Sequence, residues 1–192
     1  MSSKMLCALL SLIITSTLAA AASITNATTS TSSDSSSSCA AEPTGYGPVP
    51  TPNTAAAFSN FSAFASAANS ATTPSLYWQT YANLNGSQLA TSSNTYLGHH
   101  EIQSYDPAAC TALCDSTARC LGVNLYFERD PSVVPAAGCP DPEARTAIKC
   151  ALWGSPVNAV QAVNYGQWQE SFQVLVSQWM VIGDVWDPAD VW

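Results

Sequence analysis

The sequence contains few charged residues, and basic residues are especially scarce. Charged residues make up only 9% of its 192 positions, with 5 Lys and Arg against 13 Asp and Glu. The formal net charge of −8 at pH 7 repels a phosphate backbone, so nucleic acid is not an expected partner. The low charge and the many uncharged polar residues suit an extracellular protein that glycans help to keep soluble.

The sequence also lacks the common patterns of catalytic sites. It has no Gly-x-Ser-x-Gly nucleophile elbow, no glycine-rich phosphate loop and no convincing carboxylate pair for glycoside hydrolysis. Its two histidines are adjacent, which leaves little material for a catalytic triad. In a strand, His99 and Glu101 share a face but His100 does not, so no metal site is expected there. We therefore expect neither an enzyme nor a cofactor.

One apolar run has the length and setting of a targeting segment. Lys4 precedes apolar residues 5–18, and small residues follow, which is the order found in secretory signal peptides. We expect a signal peptide over residues 1–22. A second apolar stretch, 172–182, is interrupted by polar residues, unlike the tail of a lipid-anchor signal. The mature protein is expected to be secreted, extracellular or cell-wall associated, and not bound to a membrane.

The cysteine content predicts disulfide bonds. Of seven cysteines, Cys7 lies in the predicted leader, so six remain once the leader is removed. An even number of cysteines in an exported chain indicates a disulfide framework rather than zinc ligands or a reactive thiol. The six are Cys39, Cys110, Cys114, Cys120, Cys139 and Cys150.

Composition divides the rest of the chain into three parts. Residues 23–52 are rich in Ser, Thr and Pro, which predicts a disordered, O-glycosylated stalk with a stiff end. Residues 53–178 suit one folded domain, because no second linker interrupts them. Residues 179–192 form an acidic, Trp-rich tail. Candidate N-glycosylation acceptors are Asn26, Asn60 and Asn85.

Hydrophobic periodicity predicts two helices and several strands. Over 54–69, Phe58, Phe61 and Phe64 recur at helical spacing and indicate an amphipathic helix. A second helix begins with Asp106 as N-cap before a proline and runs to about residue 118. Alternating or continuous apolar patterns predict strands over 76–83, 96–103, 123–128, 148–153 and 172–176. The proline-rich stretch 129–145 is expected to be a loop, and 154–167 to be irregular.

The cysteine-bearing helix and the motifs that follow it resemble the PAN/apple module. The similarity is greatest to an apple-like family of secreted, mostly uncharacterised fungal proteins, and it covers roughly residues 50–176. The motifs that carry it are Ser104-Tyr105-Asp106, Cys110, Cys114, Cys120, Asn124-Leu125-Tyr126-Phe127-Glu128-Arg129-Asp130-Pro131, Ile148-Lys149-Cys150 and Trp153-Gly154.

This resemblance implies an α+β fold in which a small antiparallel sheet cradles one helix. In such modules the first helix cysteine pairs with a cysteine on a later strand, and the second with the cysteine just after the helix. The resemblance therefore implies the pairs Cys110 with Cys150 and Cys114 with Cys120, and it leaves Cys39 and Cys139 over. The expected domain is disulfide-stapled, with the additional N-terminal helix and the stalk before it.

The candidate ligand-binding residues lie on and beside the strand that follows the cysteine helix. An exposed face carrying Asn124 and Tyr126, with Trp153 nearby, offers an aromatic ring and an amide for stacking on a sugar; Trp153 as a core residue is an equal alternative. Glu128 and Arg129, with the adjacent Asp130, form either a local salt-bridge network or a ligand-recognition cluster.

These residues favour a secreted, non-catalytic binding module that recognises a glycan or a protein at the cell wall or outside the cell. The alternative is a structural or surface-coat glycoprotein without a specific ligand pocket.

Overall fold

The computed structural model describes residues 39–92 and 94–184, with the backbone alone for 178–184. The predicted signal peptide, the first part of the predicted stalk and Asn26 lie outside these ranges. The helices are α1 (Ala55–Ser59), α2 (Ser62–Ser70) and α3 (Pro107–Asp115), with a 3₁₀ turn at Ala159–Gln161. The strands are β1 (Tyr77–Leu84), β2 (Tyr96–Glu101), β3 (Gly122–Pro131), β4 (Ala144–Trp153), β5 (Gly166–Gln169) and β6 (Phe172–Asp184).

The strands form one antiparallel sheet. Its order is β1-β6-β3-β4-β2, and β5 pairs with the beginning of β6. The central strands β3 and β4 pair along their whole length, from Gly122 opposite Trp153 to Pro131 opposite Ala144. The predicted α+β class and antiparallel sheet are therefore confirmed, and β5 is a strand that the sequence patterns did not predict.

The helices cover one face of the sheet, which we call the helix face. Every second residue of β3, namely Val123, Leu125 and Phe127, points to this face and is buried. Phe127 stacks between the rings of Phe64 and Tyr105, with centroids 4.4 and 4.7 Å away. The apolar alternation seen in the sequence thus forms the main hydrophobic core.

The single helix predicted over 54–69 is two helices. The first, α1, ends at Ser59, and the side chain of Asn60 donates to the Ala56 carbonyl at 2.8 Å. The chain then turns before α2 begins, and the rings of Phe58 and Phe64 meet at 4.7 Å. A side-chain amide that satisfies a carbonyl of the last turn ends a helix readily, because that carbonyl has no partner within the helix.

The cysteine-bearing helix α3 begins as its sequence predicts. The Asp106 carboxylate accepts a hydrogen bond from the Ala108 amide at 2.9 Å, and Pro107 occupies the first turn. The helix ends at Asp115, three residues before the predicted end. Its buried residues include Cys110 and Cys114, which face the sheet together.

Three disulfides join the six described cysteines. Cys110 pairs with Cys150, and Cys114 with Cys120, which are the pairs implied by the resemblance. Cys39 pairs with Cys139. The Cys110–Cys150 bond spans a sequence separation of 40, for which loop-closure entropy corresponds to about 4 kcal/mol. The expected disulfide framework is confirmed.

The last part of the predicted stalk belongs to the folded unit. The Glu42 amide donates to the Ser132 carbonyl just after β3, and the Gly47 amide donates to the Thr146 carbonyl on β4, both at 2.9 Å. A Cβ at Gly45 would lie 2.3 Å from the Thr146 oxygen, so only glycine permits this approach. The compositional boundary at residue 52 was therefore wrong, because it ignored how glycine lets two backbones meet.

The last strand continues beyond the predicted domain end. Strand β6 pairs with both β1 and β3, and its register runs as far as Asp184 opposite Tyr77. Residues 179–184 are thus part of the sheet rather than of a separate tail, and this stretch is mostly apolar, with Asp184 as its one acidic residue. Residues 185–192 lie outside the described part. Within the described residues, no helix has the length and apolar character needed to cross a membrane.

Candidate functional site

The structure buries three of the predicted ligand-binding residues. Asn124, Tyr126 and Trp153 are 0%, 8% and 2% exposed. They lie on the face of the sheet opposite the helices, which we call the loop face because residues 85–89 and 154–165 cover it. The prediction of an exposed face carrying Asn124 and Tyr126 was therefore wrong, whereas Trp153 is a core residue, the alternative that the sequence left open.

The cover over the loop face is held by polar contacts as well as by packing. Tyr126 and Trp153 pack with Val157 and Ala162 in a second, smaller hydrophobic cluster. The Asn124 side-chain oxygen accepts from the Gln88 amide at 2.9 Å. Irregular segments carry no periodicity, so the sequence offered no signal that they would close over β3.

Glu128 belongs to an ion-pair cluster on the same loop face. The cluster is formed by Glu101, Glu128, Asp130, Arg145 and Lys149, whose side chains are 10–21% exposed. The Lys149 ammonium lies 3.4 Å from Glu128 and 3.2 Å from Asp130. Arg145 lies 2.6 Å from Glu101 and 3.2 Å from Asp130. These contacts tie β2, β3 and β4 together.

The cluster holds three carboxyl groups but only two basic side chains. Its electrostatics favour the protonated form of Glu128. Burial and then Asp130 raise the pKa of Glu128 to about 8, against an opposing effect of Lys149. Burial alone would lower the pKa of Lys149, but Glu128, Asp130 and Glu101 together raise it. The cluster thus stabilises a cationic lysine beside a carboxyl that holds its proton to unusually high pH.

Arg129 lies on the opposite side of β3 from its two acidic neighbours. Because the strand extends to Pro131, consecutive side chains alternate between faces, and the expected joint cluster of residues 128–130 does not form. The Arg129 guanidinium lies 4.3 Å from the ring centroid of Phe172 and donates to the Gln173 carbonyl at 2.7 Å. Burial lowers its pKa, while nearby Asp141 and Glu143 act in the opposite direction.

Arg129 forms one wall of a cleft of about 240 Å³. Most of the other side chains in this cleft are polar, and one is an indole. The lining residues are Asn53, Thr54, Ala55, Arg129, Asp141, Trp168, Ser171 and Gln173. Of the predicted site residues, the cleft thus retains Arg129 alone.

Trp168 projects from the β5–β6 hairpin and is 66% exposed. Opposite Gln173 in the ladder, it separates this cleft from a smaller recess of about 130 Å³ to which both residues also belong. Gly166 opens β5 at φ +116°, where a Cβ would lie 2.0 Å from the Val174 oxygen, so the hairpin requires glycine at this position.

The sequence carried a weak signal for this hairpin. The polar–aromatic alternation of Gln167, Trp168 and Gln169, directly before a turn and the predicted strand at 172, is typical of a short edge strand. A predicted β5 would have placed Trp168 on a surface rather than in an irregular segment.

The remaining candidate residues lie apart from the cleft. The His99 ring nitrogen is 2.7 Å from the Tyr96 hydroxyl, and Glu101 belongs to the ion-pair cluster. No group of three or more His, Cys, Asp or Glu side chains in ranges 39–92 and 94–184 is placed to hold a metal ion. The predicted glycosylation acceptors Asn60 and Asn85 are both exposed.

Comparison of the chain with protein-family models, curated proteins and solved structures finds no match.

Proposed function

We propose that this protein is a secreted, non-catalytic module that binds a glycan in the cleft between Arg129 and Trp168. The observation that carries the proposal is the position of Trp168, a largely exposed indole at the rim of a polar cleft. Tryptophan buries more area than other side chains, so exposing most of one costs solvation free energy unless a ligand covers it.

The cleft supplies both kinds of contact that a sugar ring needs. The apolar C–H face of a sugar packs on an aromatic ring, while its hydroxyl groups require polar donors and acceptors around the edge. Asn53, Asp141, Ser171 and Gln173 provide such groups in the cleft. Its volume of about 240 Å³ is below the roughly 300 Å³ of the smallest drug-sized sites, which suits a single sugar unit or the end of a chain.

Two further observations support binding outside the cell without hydrolysis. Three disulfides suit an oxidising, extracellular compartment. Among the residues that line the cleft, Asp141 is the one carboxylate, whereas glycoside hydrolysis ordinarily uses a pair. The cleft therefore favours recognition of a glycan over its cleavage.

The test is calorimetric titration of the disulfide-bonded protein with soluble cell-wall oligosaccharides. Trp168→Ala should reduce affinity about ten-fold or more, because an aromatic contact contributes about 1 kcal/mol beyond the area that it buries. Trp78→Ala is the matched control, since Trp78 is 41% exposed on β1 and pairs with Gly183, at the opposite end of β6 from the β5–β6 hairpin. Circular dichroism melts would show that both variants remain folded.

Equal binding by Trp168→Ala and the parent would place the glycan elsewhere and overturn the proposal. Absence of binding to every oligosaccharide by the parent would also overturn it, and would favour the surface-coat alternative or a protein ligand.

A further inference from the structure

The cleft that we assign to a glycan contains one exposed carboxylate, Asp141. The ion pairs among the described residues engage Arg145 and Lys149, and neither reaches Asp141. Asp141 also interacts electrostatically with the Arg129 guanidinium, without a salt bridge between them. Asp141 is thus the accessible charge in the cleft.

The Arg129 guanidinium lines the cleft, but it is largely buried and engaged by contacts within the protein. The side chain belongs to a residue that is only 6% exposed, stacks over Phe172 and donates to the Gln173 carbonyl. Its Nε atom is enclosed and has no hydrogen-bond partner among the described residues. The exposed Asp141 carboxylate is therefore more accessible to a ligand in the cleft than the largely buried guanidinium.

Other charges near the cleft are also negative. Glu143 is exposed two residues beyond Asp141, and its carboxylate is 3.4 Å from the Asn53 side-chain nitrogen that belongs to the cleft wall. The chain as a whole carries a formal charge of −8. A field of this sign attracts cationic ligands and repels acidic sugars.

We infer that the sugar unit bound in this cleft is an amino sugar with a free ammonium group, held by the Asp141 carboxylate while its ring packs on Trp168. This inference rests on the proposed glycan site and specifies its ligand class. N-acetylation of the sugar removes the charge and with it the ion pair. Uronic acids and sulfated sugars are disfavoured by the same carboxylate.

The experiment compares two tetrasaccharides of equal length, one of β-1,4-linked glucosamine and one of N-acetylglucosamine, by calorimetry at mildly acidic pH and low salt. The parent protein should bind the free-amine form about two- to five-fold more tightly, because a solvent-exposed ion pair contributes up to about 1 kcal/mol. Asp141→Asn should abolish this preference. High salt should also reduce it.

Asp115→Asn is the matched control, because Asp115 is an exposed carboxylate at the end of α3, where it accepts from Tyr77 on a different element. This variant should keep the full preference. Equal affinity of the parent for both tetrasaccharides, or a preference that survives Asp141→Asn, would overturn the inference while leaving the glycan site in place. Failure of the parent to bind either tetrasaccharide or any neutral oligosaccharide would overturn the glycan site itself.

Discussion

The two faces of the sheet are built by different means. On the helix face, Phe64, Leu125 and Phe127 pack with the half-cystines of α3 into an almost wholly apolar core. On the loop face, a small cluster around Tyr126 and Trp153 adjoins five ionisable side chains. Hydrophobic burial and disulfides therefore stabilise the fold on the helix face, while ion pairs between strands stabilise their alignment on the loop face.

Among the described residues, buried polar atoms without a hydrogen-bond partner occur on both faces, but more of them lie on the loop face, and Arg129 Nε is the example on the helix side. On the loop face, the Asn124 side-chain nitrogen, the Gln88 side-chain oxygen and the Trp153 indole nitrogen are buried without a hydrogen-bond partner among the described residues. On the helix face, the Tyr105 hydroxyl donates to the Leu125 carbonyl at 3.2 Å. We therefore expect substitutions on the helix face to have larger effects on global stability than substitutions on the loop face.

The largest effect is expected for Phe127→Ala on the helix face. The substitution removes a ring that is 2% exposed and stacked between Phe64 and Tyr105, and it leaves a cavity in the core. Loss of the buried surface and creation of the cavity should lower the free energy of unfolding by about 3–5 kcal/mol. Urea denaturation followed by circular dichroism measures this loss.

Phe127→Leu serves as the graded control, because it keeps most of the buried volume and should cost about 1 kcal/mol. A loss below about 1 kcal/mol for Phe127→Ala would show that the aromatic stack contributes little to the core. The assignment of the helix face as the main source of stability would then be wrong.

A smaller effect is expected for Lys149→Met on the loop face. The substitution leaves Glu101, Glu128 and Asp130 with Arg145 as the one remaining cation of the cluster. Breaking a buried pair by removing one partner costs about 3–5 kcal/mol, and the 10–21% exposure of these side chains should reduce this to about 2 kcal/mol. Thermal and urea melts at neutral pH measure the change.

Lys149→Arg preserves the charge and should lose less stability than Lys149→Met. The destabilisation by Lys149→Met should also shrink at low pH, where protonated carboxyls no longer repel one another. A loss that is the same for both variants and at all pH values would mean that the lysine acts through packing of its aliphatic stem.

Local sequence signals were sufficient to predict much of the helix face. Its residues follow from strict alternation in β3, from the Asp106–Pro107 start of α3 and from the export that implies disulfides. The first two signals depend on residues that are close together in the sequence. The third depends on the oxidising compartment, which favours disulfides for every cysteine alike. The pairing of the cysteines came instead from the resemblance to apple-like proteins.

The loop face and the cleft depend on contacts that no local pattern encodes. Tyr126 alternates with core residues, which predicts an exposed side chain unless another segment covers it. The covering residues, Val157 and Ala162, lie about 30 positions later in an irregular stretch. Trp168 lines the same cleft as Arg129 because the β5–β6 hairpin places it there. Such long-range coverage is a property of tertiary packing, so a candidate role for Arg129 could be predicted from the sequence, but its partners in the cleft could not.

The raised pKa of Glu128 gives the loop face a pH dependence that the helix face lacks. Below the ordinary value of 4.5, the carboxyl is protonated in both the folded and the unfolded chain. Between 4.5 and about 8, the folded protein retains the proton and the unfolded chain releases it. Unfolding then releases a proton, so the contribution of Glu128 to stability falls as the pH rises through this range.

The smallest effect is expected for Glu128→Gln, because glutamine resembles the protonated carboxyl that the folded protein already holds. The variant should match the parent at the acidic end of the range and exceed it in melting temperature near pH 8, where the parent has lost the contribution of its proton. Calorimetric melts at a series of pH values measure the difference. Glu42→Gln, which alters a carboxylate outside the ion-pair cluster, should leave the slope unchanged. Parallel pH profiles for Glu128→Gln and the parent would show that Lys149 keeps Glu128 ionised, and the loop face would then be a fully charged network.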